Sequence, residues 1–324
     1  MNAKVTALGV YLPEQRVGND VFEGRIETTS EWIVSRTGID ERRFADESEL
    51  TSDLAVKAVE DLVRNRDTDV TDVDFVIVAT SSHDQIIPST ASQVQYKLGI
   101  PAAGAIDVSG ACAGFTYALI LAQGLVAAGS HSKVLVIGAE AMSRVVDFSE
   151  RSTCILFGDG AGAVLVEPDH DVRSAFRSVT GAEGASGKEL YLSSGDDRVN
   201  GDRILADGHL HQNGQFVYKW VVKNIPRRVE DLLQRNGMTL DEIDWFIPHS
   251  ANMRIIEAIC EDLGLPTERA LQSVQKCGNT SSASIPLAWH HGLREGKIGA
   301  GDRLLLMGFG GGMTYAGLIL EQAF

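Results

Sequence analysis

The chain contains little cysteine and proline, and it lacks any long uninterrupted run of apolar residues. Only four cysteines and eight prolines occur among 324 residues, and no two cysteines have the Cys-x-x-Cys spacing. This pattern excludes a disulfide framework and a cysteine-based zinc site, and it is typical of a reducing compartment. No apolar stretch reaches the roughly 18 residues of a membrane span, and the N-terminus lacks the apolar core of a signal peptide. We therefore expect a cytoplasmic protein without a metal site and without a membrane partner.

Basic residues are scarce compared with acidic ones. The chain has 29 of the former and 44 of the latter, which leaves a net charge of −15 with the histidines neutral. A field of this sign repels nucleic acid and anionic membranes, so neither is an expected partner. Apolar residues make up 44% and charged residues 23%, which is typical of a globular enzyme. At about 150 residues per domain, the length predicts two domains or one large α/β unit.

Three sequence segments recur with one common offset of 170 residues, which indicates a duplicated unit. The matching pairs are 59–62 with 229–232, 74–77 with 244–247, and 134–138 with 304–308. The shared offset predicts two similar halves, residues 1–170 and 171–324. No low-complexity linker separates them, so we expect the halves to pack as one body.

Helical and strand patterns alternate within each half. Apolar residues spaced three and four apart predict a helix over 54–63, and a β-branched run predicts a buried strand over 74–79. A further helix over 115–128 ends at Gly129, because glycine is the usual residue just beyond a helix. The second half repeats the order with a helix over 218–235, in which Pro226 is expected to delay the start or kink the helix. The alternation predicts a layered α/β fold with two pseudo-equivalent sheets.

Cys112 is the candidate nucleophile. It lies in the segment Gly-Ala-Cys-Ala-Gly at 110–114, between a predicted strand over 104–108 and a predicted helix. Small flanking residues permit the sharp strand-to-helix turn that exposes a nucleophile. The helix N-terminus favours a negative charge, so we expect a lowered pKa for the thiol. The alternative is a buried structural cysteine, which is how we interpret the other three cysteines.

Two polar residues of the second half are candidates for the same site. His249 follows a predicted strand, at the position equivalent to Ala79 in the first half. Asn279 lies in a polar loop that ends at Ser282, the position equivalent to Cys112. Equivalent strand ends come together in a duplicated fold, so we expect Cys112, His249 and Asn279 to converge on one cleft. A structural histidine and a turn asparagine are the alternatives.

Two glycine-rich runs lie near the ends of the halves. Residues 158–162 and 308–312 lack the full spacing of a dinucleotide-binding motif and the lysine of a phosphate-binding loop. We interpret 158–162 as a tight turn. The backbone N–H groups of 310–312 are candidates for an oxyanion hole beside the thiol.

Six segments combine the candidate residues with characteristic flanking motifs. They are 29–39 (TSEWIVSRTGI), 111–117 (ACAGFTY), 157–163 (FGDGAGA), 248–252 (PHSAN), 278–281 (GNTS) and 309–312 (FGGG). In their order and spacing the chain resembles the β-ketoacyl-acyl carrier protein synthase III family of the thiolase-like superfamily, over essentially its full length. The resemblance implies a duplicated thiolase-like fold with the layer order αβαβα, and a homodimer.

The resemblance also implies a reaction and a role for each candidate residue. Cys112 would attack the thioester of a short acyl-CoA, while the N–H groups of Cys112 and Gly311 hold the oxyanion. His249 and Asn279 would then bind the thioester carbonyl of malonyl-acyl carrier protein during decarboxylation. The product would be a 3-oxoacyl-acyl carrier protein, the first condensation product of fatty-acid synthesis. No cofactor is expected, because acyl-CoA is a substrate.

The resemblance also implies which residues bind coenzyme A. Trp32 and Arg151 would sandwich the adenine, with Thr28 and Arg36 nearby. Stacking of an indole and a guanidinium on a purine is physically sound. Asn252 would orient the pantetheine arm or an active-site water.

Two residues are implied for the acyl pocket. Phe309 matches the aromatic neighbour of the nucleophile, and Ile87 stands where many relatives place a phenylalanine at the pocket floor, contributed across the dimer. The smaller Ile87 side chain widens or reshapes that pocket. The starter acid itself does not follow from the sequence.

Carrier-protein docking is implied for Lys219 and Arg254 at the rim of the cleft. The chain departs from the most basic versions of this rim, because Glu261 and Asp262 occupy positions where some relatives carry lysines. This difference puts the strength of carrier docking in question.

Two other functions compete with the condensing enzyme. One is a paralogue in secondary metabolism that uses the same three residues with a different starter. The other is a catalytically silent module that binds acyl-CoA or a carrier protein. The intact Cys112, His249 and Asn279 argue against the silent module, since binding alone does not need all three.

Overall fold

The computed structural model describes residues 2–169, 177–193 and 195–324, which form an α/β protein with two large sheets. Its α-helices are α1 (Ser30–Thr37), α2 (Thr51–Arg66), α3 (Thr90–Lys97), α4 (Gly114–Ala127), α5 (Arg151–Cys154), α6 (Gly214–Asn236), α7 (Met253–Leu263), α8 (Val274–Cys277) and α9 (Ser284–Arg294). Its strands are β1 (Asn2–Tyr11), β2 (Gln15–Gly18), β3 (Glu41–Phe44), β4 (Phe75–Ala79), β5 (Gly104–Val108), β6 (Val134–Glu140), β7 (Gly160–Asp169), β8 (Val179–Ala182), β9 (Leu190–Leu192), β10 (Arg198–Val199), β11 (Asp202–Arg203), β12 (Leu210–Gln212), β13 (Trp245–Pro248), β14 (Arg303–Gly310) and β15 (Thr314–Glu321). Across these described ranges, no helix is both long enough and apolar enough to cross a membrane.

The first large sheet has the strand order β1-β7-β6-β4-β5 and draws only on residues 2–169. Strands β4, β5 and β6 run parallel to one another, and β7 runs antiparallel to its neighbours β1 and β6. All seven residues of β6 are buried. A strand covered on both faces needs a continuous apolar sequence, and β6 supplies one in Val-Leu-Val-Ile.

The second large sheet has the order β13-β14-β15-β8 and repeats the strand directions of the first. β13 and β14 match β4 and β6 at the offset of 170, to within one residue at each end. A fifth strand position is reduced to a single bridge between Phe246 and Ala270. The predicted boundary between 1–170 and 171–324 lies outside the described residues, and the division into equivalent halves stays a prediction.

Five layers result from the packing of helices against the two sheets. Helices α2 and α3 cover the outer face of the first sheet, where Leu54 and Val94 are buried. Helices α4 and α9 lie between the sheets, and Phe115 and Trp289 belong to the core that they share with both sheets. Helices α6 and α7 cover the outer face of the second sheet, with Ile256 buried there. This order confirms the predicted αβαβα fold.

Helix boundaries follow the predictions with one exception. α2 contains the predicted 54–63, and α4 ends just before Gly129, which adopts a left-handed φ of 70°. α6 begins at Gly214 and continues through Pro226 to Asn236, so the expectation that Pro226 delays the helix start is wrong. Proline removes one backbone hydrogen bond. The long buried face of α6 against the second sheet compensates for that loss.

Two tight turns at equivalent positions lead into the central helices. Ala111 and Ser281 both have φ of 46°, and each starts a 3₁₀ turn that continues into α4 or α9. Positive φ is costly for residues other than glycine, so tertiary packing must stabilise both turns. The packing is backbone to backbone, because Gly308 of β14 lies against Ala113 and Gly138 of β6 lies against Ser282.

The contact between β6 and the second turn generates a stability prediction. A Cβ atom at Gly138 would lie 2.5 Å from the carbonyl oxygen of Ser282, whereas one at Gly124 in α4 would meet no atom within 4 Å. We expect Gly138→Ala to lower the melting temperature, at a cost of about 1–3 kcal/mol for the forced displacement. The control Gly124→Ala should be neutral or stabilising by up to about 1 kcal/mol, because alanine is the better helix former. Equal melting temperatures for the two variants would contradict the close contact.

Candidate active site

One cavity of about 1310 Å³ brings together residues from both sheets. Its lining includes most of the predicted site residues. These are Trp32, Arg36, Cys112, Arg151, His249, Asn252, Arg254, Asn279, Phe309 and Gly311. Thr28, Ile87 and Lys219 do not line it. The three predicted catalytic residues therefore do converge on one cleft.

Cys112 sits in the turn between β5 and α4, and its side chain is almost inaccessible at 9% exposure. Burial raises the pKa of the thiol to about 12, Glu140 adds to the increase, and the hydroxyl of Ser281 opposes it. The expected lowering of the pKa by the helix N-terminus is therefore wrong. The free energy lost when a thiolate is removed from water exceeds the stabilisation that the partial charge of one helix N-terminus provides.

Two glycines permit the backbone of the second sheet to approach the nucleophile. A Cβ atom at Gly310 would lie 2.7 Å from the backbone nitrogen of Cys112. One at Gly311 would lie 2.9 Å from the carbonyl oxygen of Leu190, across the cavity lining. Both positions therefore need glycine for steric reasons: Gly310, the last residue of β14, because it lies beside Cys112, and Gly311 because it lies against Leu190.

His249 follows directly after β13 and is 1% exposed. Its backbone N–H donates to the carbonyl of Met307 at 2.8 Å, and the ring of Phe309 packs edge-on at 5.2 Å between centroids. Nδ1 lies 2.7 Å from Oγ of Ser284 at the start of α9. Burial lowers the pKa of His249 to about 3, so the imidazole is neutral at physiological pH.

Asn279 is held by backbone pairing on both sides. Its N–H donates to the carbonyl of Leu156 at 2.8 Å, and its carbonyl accepts from the N–H of Gly158 at 3.1 Å. The backbone N–H of Ser281 donates to Oδ1 at 2.9 Å. An N–H requires an acceptor, so this contact identifies Oδ1, and Nδ2 is left as a donor with no partner among the described residues.

Sequence reasoning missed Glu140, Ser281 and Ser284. Glu140 is fully buried and accepts hydrogen bonds from the N–H groups of Ser81 and Ser82 at 3.0 and 3.1 Å. A glutamate inside an otherwise apolar strand is a sequence signal that could have identified it. The two serines lie close behind Asn279 in the sequence, but only the folded chain shows that they contact Cys112 and His249.

The predicted adenine site is closed in this structure. The Arg151 guanidinium carbon lies 4.9 Å from the centroid of the Trp32 ring, and Arg36 lies 5.9 Å from it. A purine stacked on both groups needs about twice the spacing of one stacked pair. Arg151 also donates to the carbonyl of Glu27 at 2.5 Å. A sandwich therefore requires Arg151 to move. The nearby Thr28 has a buried hydroxyl without a hydrogen-bond partner among the described residues.

Asn252 has a structural role that the sequence did not indicate. Its Oδ1 accepts from the N–H of Arg254 at 2.9 Å and caps α7, while Nδ2 donates to the carbonyl of Arg36 at 3.2 Å. Both ends of the amide are occupied. Contact with a pantetheine arm would have to replace one of these bonds.

The remaining predicted residues lie at the surface. Ile87 is 86% exposed, close to the edge strand β5. Lys219, on α6, is exposed, as is Arg254 at the cavity rim. Glu261 and Asp262 are exposed at the far end of α7. Within the part of the chain that the structure describes, no group of three acidic, histidine or cysteine side chains is placed to hold a metal ion.

Two family models match the chain. The model described as 3-oxoacyl-[acyl-carrier-protein] synthase III matches residues 106–184, which include Cys112. The model for the C-terminal part of the same family matches residues 233–322, which include His249 and Asn279. Each family model thus contains part of the candidate site.

Curated proteins and solved structures give the same assignment. β-Ketoacyl-[acyl-carrier-protein] synthase III 2 of Halalkalibacterium halodurans is 51% identical over 319 residues, covering 98% of this chain and 96% of that protein. The β-ketoacyl-[acyl carrier protein] synthase III structure from Thermus thermophilus superimposes with a TM-score of 0.93 at 44% identity, with 98% of each chain covered. A priming β-ketosynthase from the R1128 polyketide pathway superimposes with a TM-score of 0.92 at 35% identity, covering 99% of this chain and 96% of that one. The chain therefore belongs to the β-ketoacyl-acyl carrier protein synthase III family of thiolase-like acyltransferases.

Proposed function

We propose that the protein condenses a short acyl-CoA starter with malonyl-acyl carrier protein and releases carbon dioxide, as the first condensation of fatty-acid synthesis. One observation carries this proposal: a thiol, a neutral imidazole and a side-chain amide line one largely apolar cavity. A nucleophile alone would support simple acyl transfer. The additional pair of donors suits a reaction that forms an enolate.

In the first half-reaction, the sulfur of Cys112 attacks the thioester carbonyl of acyl-CoA. The carbon–sulfur bond to coenzyme A breaks, and the proton lost by the thiol ends on the departing coenzyme A thiol. The raised pKa of Cys112 means that the resting thiol is protonated, so proton loss accompanies the attack. The N–H groups of Cys112 and Gly311 stabilise the tetrahedral oxyanion.

In the second half-reaction, malonyl-acyl carrier protein replaces coenzyme A. Its thioester carbonyl accepts hydrogen bonds from His249 and from Nδ2 of Asn279. When the bond to the carboxylate breaks, its electron pair forms an enolate that these two donors stabilise. The enolate carbon attacks the acyl group on Cys112, the carbon–sulfur bond breaks, and the departing thiolate takes up one proton from solvent. Phe309 packs against His249 and borders the acyl group.

Coenzyme A would enter past Trp32 and Arg151 at the outer end of the cavity. Arg151 moves off the indole to admit the adenine, with Arg36 close by and Thr28 supplying its unpaired hydroxyl. Asn252 would reach the pantetheine arm by exchanging one of its backbone hydrogen bonds.

Carrier docking is proposed for the surface formed by α6 and the start of α7. Lys219, Lys223 and Arg227 repeat every four residues on α6 and are all exposed, which places them on one helix face. Arg254 extends this surface to the rim of the cavity. Among the described residues, no ion pair neutralises Lys219, Arg227 or Arg254. An acidic carrier would find local positive charge here in spite of the net charge of −15.

A homodimer is proposed through β5, the edge strand of the first sheet. An unpaired edge strand offers free backbone groups to a second strand. Next to it, Ile86 and Ile87 are 81% and 86% exposed, and Ile106 of β5 is 42% exposed. Clustered apolar side chains of this size mark a protein interface. Pairing of two β5 strands would place Ile87 against the acyl pocket of the second copy.

No metal or redox cofactor is part of the proposed reaction, because the two donors act as the electron sink for decarboxylation. All four cysteines are unpaired, which supports a reducing compartment. We therefore place the reaction in the cytoplasm.

The second candidate is the priming condensation of a secondary-metabolite pathway. It is favoured by the similarity to the R1128 priming ketosynthase, although that protein is less similar at 35% identity than the synthase III 2 at 51%. Turnover with acetyl-, butyryl-, isobutyryl- and anteiso-acyl-CoA, each with malonyl carrier protein, separates the two. Preference for a short fatty-acid starter supports the first candidate.

The nucleophile can be tested by acyl transfer alone. We expect acyl-CoA to add one acyl group to the protein by intact mass, on the peptide that contains Cys112. Cys112→Ser should lose this labelling, because an alcohol is a far poorer nucleophile than a thiol. Cys154→Ser, a matched change at another buried cysteine, should keep it. Undiminished acylation of Cys112→Ser would show that another residue is the nucleophile.

The docking surface can be tested by charge reversal. We expect Arg254→Glu to raise the apparent KM for malonyl carrier protein about two- to fivefold at low salt, since exposed ion pairs contribute about 0.2–1 kcal/mol. Acylation by acyl-CoA should change much less. Replacement of Glu261 and Asp262 by lysine should lower the KM by a smaller factor, because they lie about 10 Å along α7 from Arg254. These effects should shrink as salt rises.

Arg64→Glu is the matched control, because Arg64 lies on α2 at the opposite outer layer. It changes the net charge equally and should leave the KM unchanged. Equal effects of Arg64→Glu and Arg254→Glu would mean that only the overall charge matters and that docking lies elsewhere.

A further inference from the structure

The neutral ring of His249 makes one polar contact within the described part of the chain. Nδ1 lies 2.7 Å from Oγ of Ser284, and both side chains are almost completely buried. Nε2 lies on the other side of the ring and is available to a substrate in the cavity that His249 lines. A neutral imidazole carries a single proton, so the contact at Nδ1 decides what Nε2 offers to a substrate.

The hydrogen-bond pattern of Ser284 determines which nitrogen carries that proton. The backbone N–H of Ser250 donates to Oγ of Ser284 at 3.3 Å, so the oxygen already accepts one bond. The hydroxyl proton then needs an acceptor of its own, and Nδ1 is the one within reach. If Nδ1–H donated instead, Oγ would accept twice and leave its proton unpaired in a fully buried position, which is costly.

We infer that Ser284 is a positioning residue that holds His249 in the tautomer protonated on Nε2. This inference rests on the proposed function, in which His249 donates a hydrogen bond to the malonyl thioester. Only the Nε2–H tautomer is a donor towards the cavity. In the other tautomer, Nε2 presents a lone pair to the developing enolate oxygen, and the lone pair and the negative oxygen repel each other.

Ser284 is itself fixed by neighbouring serines. Ser273 donates from Oγ to the carbonyl of Ser284 at 3.1 Å, and its N–H donates to Oγ of Ser250 at 3.0 Å. All three serines are 1% exposed or less. The hydroxyl that faces His249 therefore has a fixed location, and Ser273 is a buried serine of the same cluster that does not contact the ring.

The equivalent positions in the first half support a paired role. At the offset of 170, His249 corresponds to Ala79 and Ser284 to Gly114. These two also lie in contact, because a Cβ atom at Gly114 would be 3.1 Å from the Cβ of Ala79. The two pairs of positions are thus in contact in both places. The pair is alanine and glycine where no hydrogen-bond donor to the substrate is needed, and histidine and serine where one is needed.

The test combines a spectroscopic measurement with two half-reactions. In protein labelled with ¹⁵N-histidine, with His249→Ala used for assignment, we expect the ring shifts of wild-type His249 to show a proton on Nε2. Ser284→Ala should give a mixture of tautomers and slow malonyl decarboxylation at least tenfold in kcat. Acylation by acyl-CoA should stay within twofold. Ser284→Thr, which keeps the hydroxyl, should restore the Nε2–H signal and most of the decarboxylation.

Ser273→Ala is the matched control, since it removes a buried hydroxyl of the same cluster without touching the imidazole. It should leave the tautomer unchanged. A proton on Nδ1 in the wild type, or a pure Nε2–H signal in Ser284→Ala, would overturn the inference. The shifts do not depend on turnover, so a wild type that lacks decarboxylation would refute the proposed function while the tautomer result still decides on Ser284.

Discussion

The close packing of two strand-to-helix turns between the sheets is the constraint on which the site depends. The turns start at Ala111 and Ser281, in a backbone conformation that neither residue favours. They are held because β14 contacts the first turn through Gly308 and β6 contacts the second through Gly138. The second sheet thus supports the first turn, and the first sheet supports the second turn. The ends of β5 and β13 meet at one cavity as a consequence, since Ser109 and His249, the residues that directly follow these strands, both line it.

The two turns and the residues beside them have different chemical roles. The first turn supplies the thiol of Cys112, while the second supplies Asn279 and the hydroxyls of Ser281 and Ser284. Burial acts against charge on both Cys112 and His249. It keeps the thiol protonated and the imidazole neutral, so the site is arranged with hydrogen-bond donors rather than with ions. Neutral, buried hydrogen-bond donors of this kind can stabilise an enolate.

Some features of the fold and of the site follow from patterns in the sequence, whereas others depend on contacts that only the folded chain forms. The repeat and the alternating elements indicated a layered α/β fold with two similar sheets, and the order of five layers was implied by the family resemblance. The strand ends indicated that Cys112 and His249 converge, because this follows from the offset of the repeat. The pKa of Cys112 was predicted in the wrong direction, since burial is a property of the whole fold. The contact of Ser284 with His249, and the stacking of Arg151 on Trp32, join residues far apart in the chain and leave no periodic signal.

Burial keeps His249 neutral, so that it can act as a hydrogen-bond donor and not as an acid. A histidine whose pKa is lowered to about 3 stays uncharged at every pH well above that value. The most direct measurement is the ring ¹³Cε1 shift of His249 between pH 8 and about pH 5.5, below the ordinary pKa of about 6.5. We expect a constant ¹³Cε1 chemical shift for His249 over this pH range. A titration with a midpoint near 6.5 would show a solvated, ionisable imidazole and contradict it.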